Sequence, residues 1–242
     1  MSSPDSIRQN SVQIIFFDAA GTLFEVRGSV GEIYSAAAQR YGVEVEPASL
    51  QQEFLRHFPA QPPLAFPRGT PEAELHRLEK EWWRRLVQAV FADRGPFPRF
   101  DEFFDGLYEF FRGGEGWRLY DDTVPTLEAL QARGLRLAVI SNFDSRLDDV
   151  LRALRIGHYF AAVHLSTRAG AAKPDPAIFR AALERHQVSA AHAIHVGDGL
   201  REDARGAAAA GVNAIWLDRD QSESENGGLT RITRLGQLLE LL

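Results

Sequence analysis

Cysteine is absent from the 242 residues, so disulfides, thiolate metal sites and cysteine nucleophiles are excluded. Lysine is nearly absent as well: Lys80 and Lys173 stand against 25 arginines. No apolar run approaches the ~18–20 residues of a membrane-spanning helix. The polar start, Met1 to Asn10, lacks the apolar stretch of a secretory signal. Positive charge is in deficit, with a formal net charge of −6, and nothing there draws the chain to nucleic acid or an anionic membrane surface. These absences set the expectation of a cytoplasmic chain with no nucleic-acid or membrane partner. The sequence is silent on oligomeric state.

What remains is an ordinary globular composition, 45% apolar and 25% charged, of a length that suits one or two domains. One stretch stands out, Ile14-Ile15-Phe16-Phe17-Asp18-Ala19-Ala20-Gly21-Thr22-Leu23. Four large apolar residues run unbroken into a carboxylate, which reads as a strand buried on both faces of a parallel sheet. Gly21 ends it and permits a tight turn. Asp18 therefore sits at the carboxyl end of a central strand, the edge where open α/β sheets bind ligands. The plainer reading is a strand-end aspartate satisfied by turn N–H groups; the rest of the chain decides between them.

After Gly28, helical periodicity covers Val30–Tyr41, Pro47–Phe58, Thr70 (as cap) to about Asp93, and Phe100–Phe111, with a proline-rich loop over Pro59–Pro71. No strand signal appears between Arg27 and Gly116. From there helices and strands alternate: helix Thr123–Arg133, strand Leu135–Ile140, helix Ser145–Arg155, strand Ala162–Leu165, helix Asp175–His186, strand Ala193–Val196, helix Ala204–Ala210 and a last strand Ala214–Leu217. Gln221–Gly228 reads as a polar, mobile stretch and Ile232–Leu242 as a terminal amphipathic helix. The expected fold is α/β, a doubly wound parallel sheet (Rossmann-like) with an inserted helical domain. Residues 1–26 and 117–242 form the core, and 27–116 form the insertion, placed to hang over Asp18 as a lid.

Three further strand ends carry polar residues: Ser141-Asn142, Lys173 and Asp198, with Asp203 five residues on. Polar groups from parallel strand ends converge on one sheet edge. Oxygen-only acidic ligands suit Mg²⁺, a lysine and a hydroxyl suit a phosphoryl group, and a carboxylate nucleophile points to an aspartyl-phosphate.

Asp18–Leu23 (DAAGTL), Ser141-Asn142, Lys173-Pro174-Asp175-Pro176 and Gly197-Asp198-Gly199-Leu200-Arg201-Glu202-Asp203 resemble the four ordered motifs of haloacid dehalogenase-like hydrolases. The helical insertion resembles that superfamily's cap, and the likeness spans about residues 12–220. Gly28–Tyr34 and Trp82-Trp83 resemble the branch named for a rhythmically expressed insect gene. The resemblance implies Asp18 as nucleophile, with Ser141 and Lys173 on the transferring phosphoryl group. It implies Gly21, Thr22 and Asn142 as substrate contacts. It implies Mg²⁺ held by the Asp18 carboxylate, the Ala20 carbonyl and Asp198, with Asp203 at the metal. The substrate would be a small phosphorylated metabolite.

Ala20 departs from the pattern, because most phosphatases of the superfamily carry an aspartate there as general acid and base. Alanine keeps the backbone carbonyl and loses a group that typically contributes about 10²–10⁴-fold. A slow phosphohydrolase, or one limited to good leaving groups, is the leading expectation. The alternatives are a catalytically inactive phosphate-binding or regulatory protein and a phosphonate hydrolase. Phosphonoacetaldehyde hydrolases resemble this chain in carrying alanine at that position, and they add a cap lysine that forms a Schiff base; here only Lys80 is available, flanked by acidic residues. A dehalogenase fits the acidic Asp198…Asp203 motif poorly. The seven histidines show no ligand spacing, and Trp82-Trp83 reads as packing.

Overall fold

The computed structural model describes residues 12–94, 97–221 and 227–242. The apolar run Ile14–Phe17 forms strand β1, fully buried along its length. Successive strand side chains point to opposite faces. Ile15 and Phe17 accordingly pack with Leu127, Leu130 and Val150, while Ile14 and Phe16 pack with Ile178, Phe179 and Leu183.

The chain then turns through Gly21 and runs out along β2 (Phe24–Val26) into a block of helices. Ser29 caps α1 (Val30–Gln39): its hydroxyl accepts the Glu32 N–H at 3.1 Å, and Glu32 Oε2 accepts the Ser29 N–H at 2.8 Å. Helix α2 (Pro47–His57) starts on a first-turn proline. Helices α3 (Glu72–Val90) and α4 (Phe100–Phe110) complete the block. Their apolar faces meet in a separate core that includes Tyr34, Leu50, Trp82, Leu86, Phe103 and Phe104. The chain returns along β3 (Trp117–Leu119), which pairs antiparallel with β2 and closes the excursion where it began.

The remainder alternates: α5 (Thr123–Ala132), β4 (Arg136–Ser141), α6 (Leu147–Ala153), β5 (Val163–Leu165), the short α7 (Ser166–Ala169), α8 (Pro176–His186), β6 (Ala193–Gly197), a π-helical turn Leu200–Arg205 running into α9 (Gly206–Ala209), and β7 (Asn213–Leu217). Strand β8 (Thr230–Ile232), a 3₁₀ turn Leu235–Gln237 and α10 (Leu238–Leu241) finish it. Strands β1 and β4–β8 form one parallel sheet of order β5-β4-β1-β6-β7-β8. The chain leaves β1 to one side for β4 and β5 and to the other for β6 to β8, so β1 ends at the switch point of the sheet.

The fold is the expected α/β arrangement, with local differences. Thr70 does not cap α3; its hydroxyl donates to the Pro67 carbonyl at 2.6 Å, closing the preceding turn, and the helix starts at Glu72. That helix stops at Val90, ahead of a 3₁₀ turn over Ala92–Arg94. The expected helix from Ser145 starts at Leu147, because the Ser145 N–H and hydroxyl both donate to Glu79 Oε1, at 3.2 and 2.9 Å. Ile232 lies in β8 rather than opening a terminal helix, so Ala214–Leu217 is not the last strand. Most of the polar stretch at 221–228, residues 222–226, lies outside the described residues.

The loop after β4 locks the helical block to the sheet. Arg146 and Asp144 form an ion pair at 2.6 Å, 5% and 0% exposed. The Arg146 guanidinium sits 3.8 Å from the Tyr108 ring centroid and 5.1 Å from that of Trp83. Trp83 Nε1 donates to Asp144 Oδ2 at 2.5 Å. Burial works against both charges, but the pairing outweighs it, holding the Asp144 carboxyl below its usual range. Breaking a buried pair costs about 3–5 kcal/mol, whereas replacing both partners with apolar groups is often neutral. Arg146→Met should therefore lose about 3–5 kcal/mol in urea unfolding. The double variant Arg146→Met/Asp144→Leu should recover much of that loss.

Candidate active site

Strand register brings the four motifs together. Phe17 pairs with Val139 of β4 and Val196 of β6. Continuing one residue sets Asp18 beside Ile140 and Gly197, with Ser141 and Asp198 one step beyond. The Asp18 N–H still donates to the Val196 carbonyl, at 2.9 Å, so the residue is held by the ladder up to its last bond.

Lys173 is the hub. Its Nζ donates to Asp18 Oδ1 and to Asp203 Oδ1, each at 2.5 Å, while the residue is 5% exposed. An ammonium carries three donors, so one remains. Asn142 fixes the loop that delivers it: Asn142 Oδ1 accepts the Lys173 N–H at 2.7 Å, and Asn142 Nδ2 donates to the Lys173 carbonyl at 2.9 Å. Asn142 thus turns both ends of its side-chain amide to the Lys173 backbone.

Asp203 has three partners. Oδ1 accepts from Lys173 and from His195 Nε2, the latter at 2.8 Å, and Oδ2 accepts the Gly199 N–H at 2.9 Å. Gly197 makes room for it, since a Cβ there would lie 2.2 Å from Asp203 Cγ. Burial works to raise the Asp203 carboxyl, but Lys173 and His195 outweigh it and hold it well below the usual range. Burial lowers His195, so the neutral ring donates its Nε2–H to Asp203. Burial opposes the charge on Lys173 too, but Asp18 and Asp203 outweigh it and raise the ammonium. Asp18 is raised, chiefly by burial, with Lys173 pulling the other way.

Asp198 completes the cluster. Thr22 Oγ1 donates to its Oδ1 at 3.0 Å and accepts its N–H at 3.1 Å. Gly21, at φ +89°, presents a bare Cα to the carboxylate; a Cβ would lie 2.3 Å from Asp198 Oδ2. Gly21 and Thr22 thus support Asp198. Asp198 keeps an exposed surface at the sheet edge, yet crowding by the surrounding protein, then the charges of Asp18 and Asp203, push its carboxyl above the usual range.

One carboxylate oxygen each from Asp18, Asp198 and Asp203 lies within 4.8 Å of the others. Two of the three carboxylates pair with one lysine, and the oxygen-only set held over bare glycine fits a hard cation. With both its oxygens engaged, Asp203 stands behind the other two. Among the described residues the Ser141 hydroxyl has no hydrogen-bond partner, and the residue is buried at the end of β4. Lys80 lies apart, in a half-exposed ion pair with Asp105 at 2.8 Å on the helical block.

The family model for haloacid dehalogenase-like hydrolases matches residues 12–211. The chain is a haloacid dehalogenase-like hydrolase. Haloacid dehalogenase-like hydrolase domain-containing protein 3 of Danio rerio is 34% identical over 88% of this chain and 87% of its own. The Rhythmically expressed gene 2 protein of Drosophila melanogaster is 28% identical over 79% of this chain and 77% of its own, in keeping with the branch the cap residues resemble. A phosphoserine phosphatase of Thermus thermophilus is 39% identical over 46% of this chain and 45% of its own. Among solved structures, a 2-haloacid dehalogenase from Pseudomonas syringae superposes with a TM-score of 0.66 at 28% identity, covering 95% of this chain and 97% of its own.

Sequence reasoning passed over His195 among seven histidines of unremarkable spacing. Its signal is positional: it sits two residues before Gly197 on β6, with Asp203 brought back onto it by the π-helical turn. The glycine at the cluster's floor gives a direct test. Gly21→Ala forces a side chain into Asp198 at a left-handed backbone position. It should lose about 1–3 kcal/mol in urea unfolding and lose divalent-cation binding in calorimetric titration.

Proposed function

We propose that this hydrolase is a Mg²⁺-dependent phosphohydrolase that carries the phosphoryl group transiently on Asp18. The observation that carries this reading is Lys173 Nζ, which lies 2.5 Å from both Asp18 and Asp203 beside the Asp198 carboxylate. The Asp18 and Asp198 carboxylates and the Ala20 carbonyl would hold the metal. When bound, the cation supplies positive charge that keeps both carboxylates ionised and offsets the charge of the phosphoryl oxygens.

Asp18 attacks phosphorus; the Oδ–P bond forms as the bond to the leaving oxygen breaks, and the leaving group takes the electron pair. Water then attacks phosphorus, Oδ–P breaks, and phosphate leaves with Asp18 restored. Among the described residues Lys173 keeps one donor unused and the Ser141 hydroxyl is unpartnered, and both bind phosphoryl oxygens. Asp203 orients Lys173, and His195 orients Asp203. The helical block serves as the cap that shields the reaction, and a small phosphorylated metabolite is the substrate class. The half-exposed Lys80–Asp105 pair does not favour Schiff-base chemistry. Three clustered carboxylates do not favour dehalogenation, which asks for no cation.

Asp18→Asn is near-isosteric, and it should fold while losing turnover on every phosphate ester. A chelator should do the same to the wild type, with recovery on added Mg²⁺. Retained turnover in Asp18→Asn removes the mechanism.

At position 20 the methyl group offers no proton. The leaving group departs as its anion, so rates should fall steeply as leaving-group pKa rises. Ala20→Asp should raise activity on alkyl phosphates by ~10–10³-fold, a discounted share of the usual acid–base contribution because an installed group lacks its supports. It should change activity on nitrophenyl phosphate much less. A series of aryl and alkyl phosphates assayed on both proteins measures this; equal slopes would mean that another group already supplies the proton.

A further inference from the structure

Arg219 lies just past β7, outside all four motifs, and 17% of its side chain is exposed. Its Nη2 donates to the Thr22 carbonyl at 2.8 Å. Its two Nη groups also grip Asp122 from both sides, at 3.0 and 3.1 Å, in the planar fork geometry that only arginine provides. The guanidinium lies 3.7 Å from the Tyr120 ring centroid, which fixes its plane. Asp122 is fixed in turn, since its Oδ2 accepts the Leu235 N–H at 2.8 Å.

Thr22 is where this brace ends and the site begins. Its carbonyl takes Arg219; its hydroxyl both donates to Asp198 Oδ1 and accepts the Asp198 N–H. The neighbouring Gly21 carries the Asp198 carboxylate on its bare Cα. Two of the surfaces that place Asp198 thus belong to one turn, and Arg219 holds that turn from behind. A third hold comes from β7, just before Arg219: Trp216 Nε1 donates to the Asp198 carbonyl at 2.9 Å.

We propose that Arg219 is a positioning residue for the cation-binding carboxylate Asp198, acting through the Thr22 carbonyl. The proposal rests on the metal reading above only for what Asp198 binds, not for how it is held. Groups behind a metal ligand typically change metal affinity or activity by about 10–100-fold when removed.

Two variants test it, Arg219→Gln, which removes the fork, and Arg219→Lys, which keeps charge and is the more certain to fold. Amide hydrogen exchange at Asp198 reads the Thr22–Asp198 bond with no metal present. We expect about tenfold faster exchange at Asp198 in Arg219→Gln, less in Arg219→Lys, with Ile15 and Phe16 unchanged. Calorimetric titration with Mg²⁺ should show about 10–100-fold weaker binding in Arg219→Gln. Unchanged Asp198 exchange in both variants overturns the proposal, as does equal acceleration at Asp198, Ile15 and Phe16, which would make Arg219 a stabiliser of the fold alone. Wild type that binds no Mg²⁺ removes the metal reading, while Asp198 exchange still decides the role of Arg219.

Discussion

The ammonium of Lys173, shared between Asp18 and Asp203 at 2.5 Å from each, is the constraint to which the rest of this molecule answers. An unpaired charge at that depth would be costly, and removing one partner of a buried pair typically costs about 3–5 kcal/mol. Each neighbour can be understood as a device that keeps the trio together. Asn142 fixes the backbone of Lys173. His195 and the Gly199 N–H occupy two further lone pairs of Asp203. Gly197 and Gly21 lack side chains where Asp203 and Asp198 must lie. The parallel sheet supplies the common edge, because strands running the same way end on the same side.

The loop leaving β4 serves two masters. Ser141 and Asn142 belong to the site, while Asp144, Ser145 and Arg146, a few residues on, bind the helical block through Trp83, Glu79 and Tyr108. The helical block and the sheet, each with its own apolar cluster, are thus tied by a buried polar contact. Such a contact depends on geometry: an ion pair and its hydrogen bonds reward one arrangement, whereas apolar faces tolerate sliding.

Much of this was legible in the chain. Ile14–Phe17 announces a doubly buried strand because no polar residue interrupts it, and Gly21 and Gly42 mark turns by chemistry that few other residues share. The three-residue strands β2, β3 and β8 were not legible, since three residues carry no period of their own; β5, equally short, was legible only from its place in the run of alternating helices and strands. Trp117 and Leu119 look like loop hydrophobics until β2 pairs with them. Within the cluster, Asp18, Lys173, Asp198 and Asp203 stood out by their place in the motifs, while residues outside the motifs that brace the cluster did not. Arg219 touches a carbonyl, which has no sequence signature, and it is one arginine of 25. Thr22 and Asn142 were named from the motifs, but their protein partners, Asp198 and the Lys173 backbone, were not, because a motif records which residue is present and not which way it turns.

The pairing of β2 with β3 has a consequence for how this protein can change over evolutionary time. About ninety residues leave the core and come back side by side, so the excursion is a closed loop whose ends are pinned by a short ribbon. Closing a flexible loop twice as long costs only about 0.6 kcal/mol more. Away from Glu79, Trp83 and Tyr108, which the loop after β4 grips, the helices beyond the ribbon can be lengthened or shortened, and the sheet edge would be inherited intact beneath each new roof.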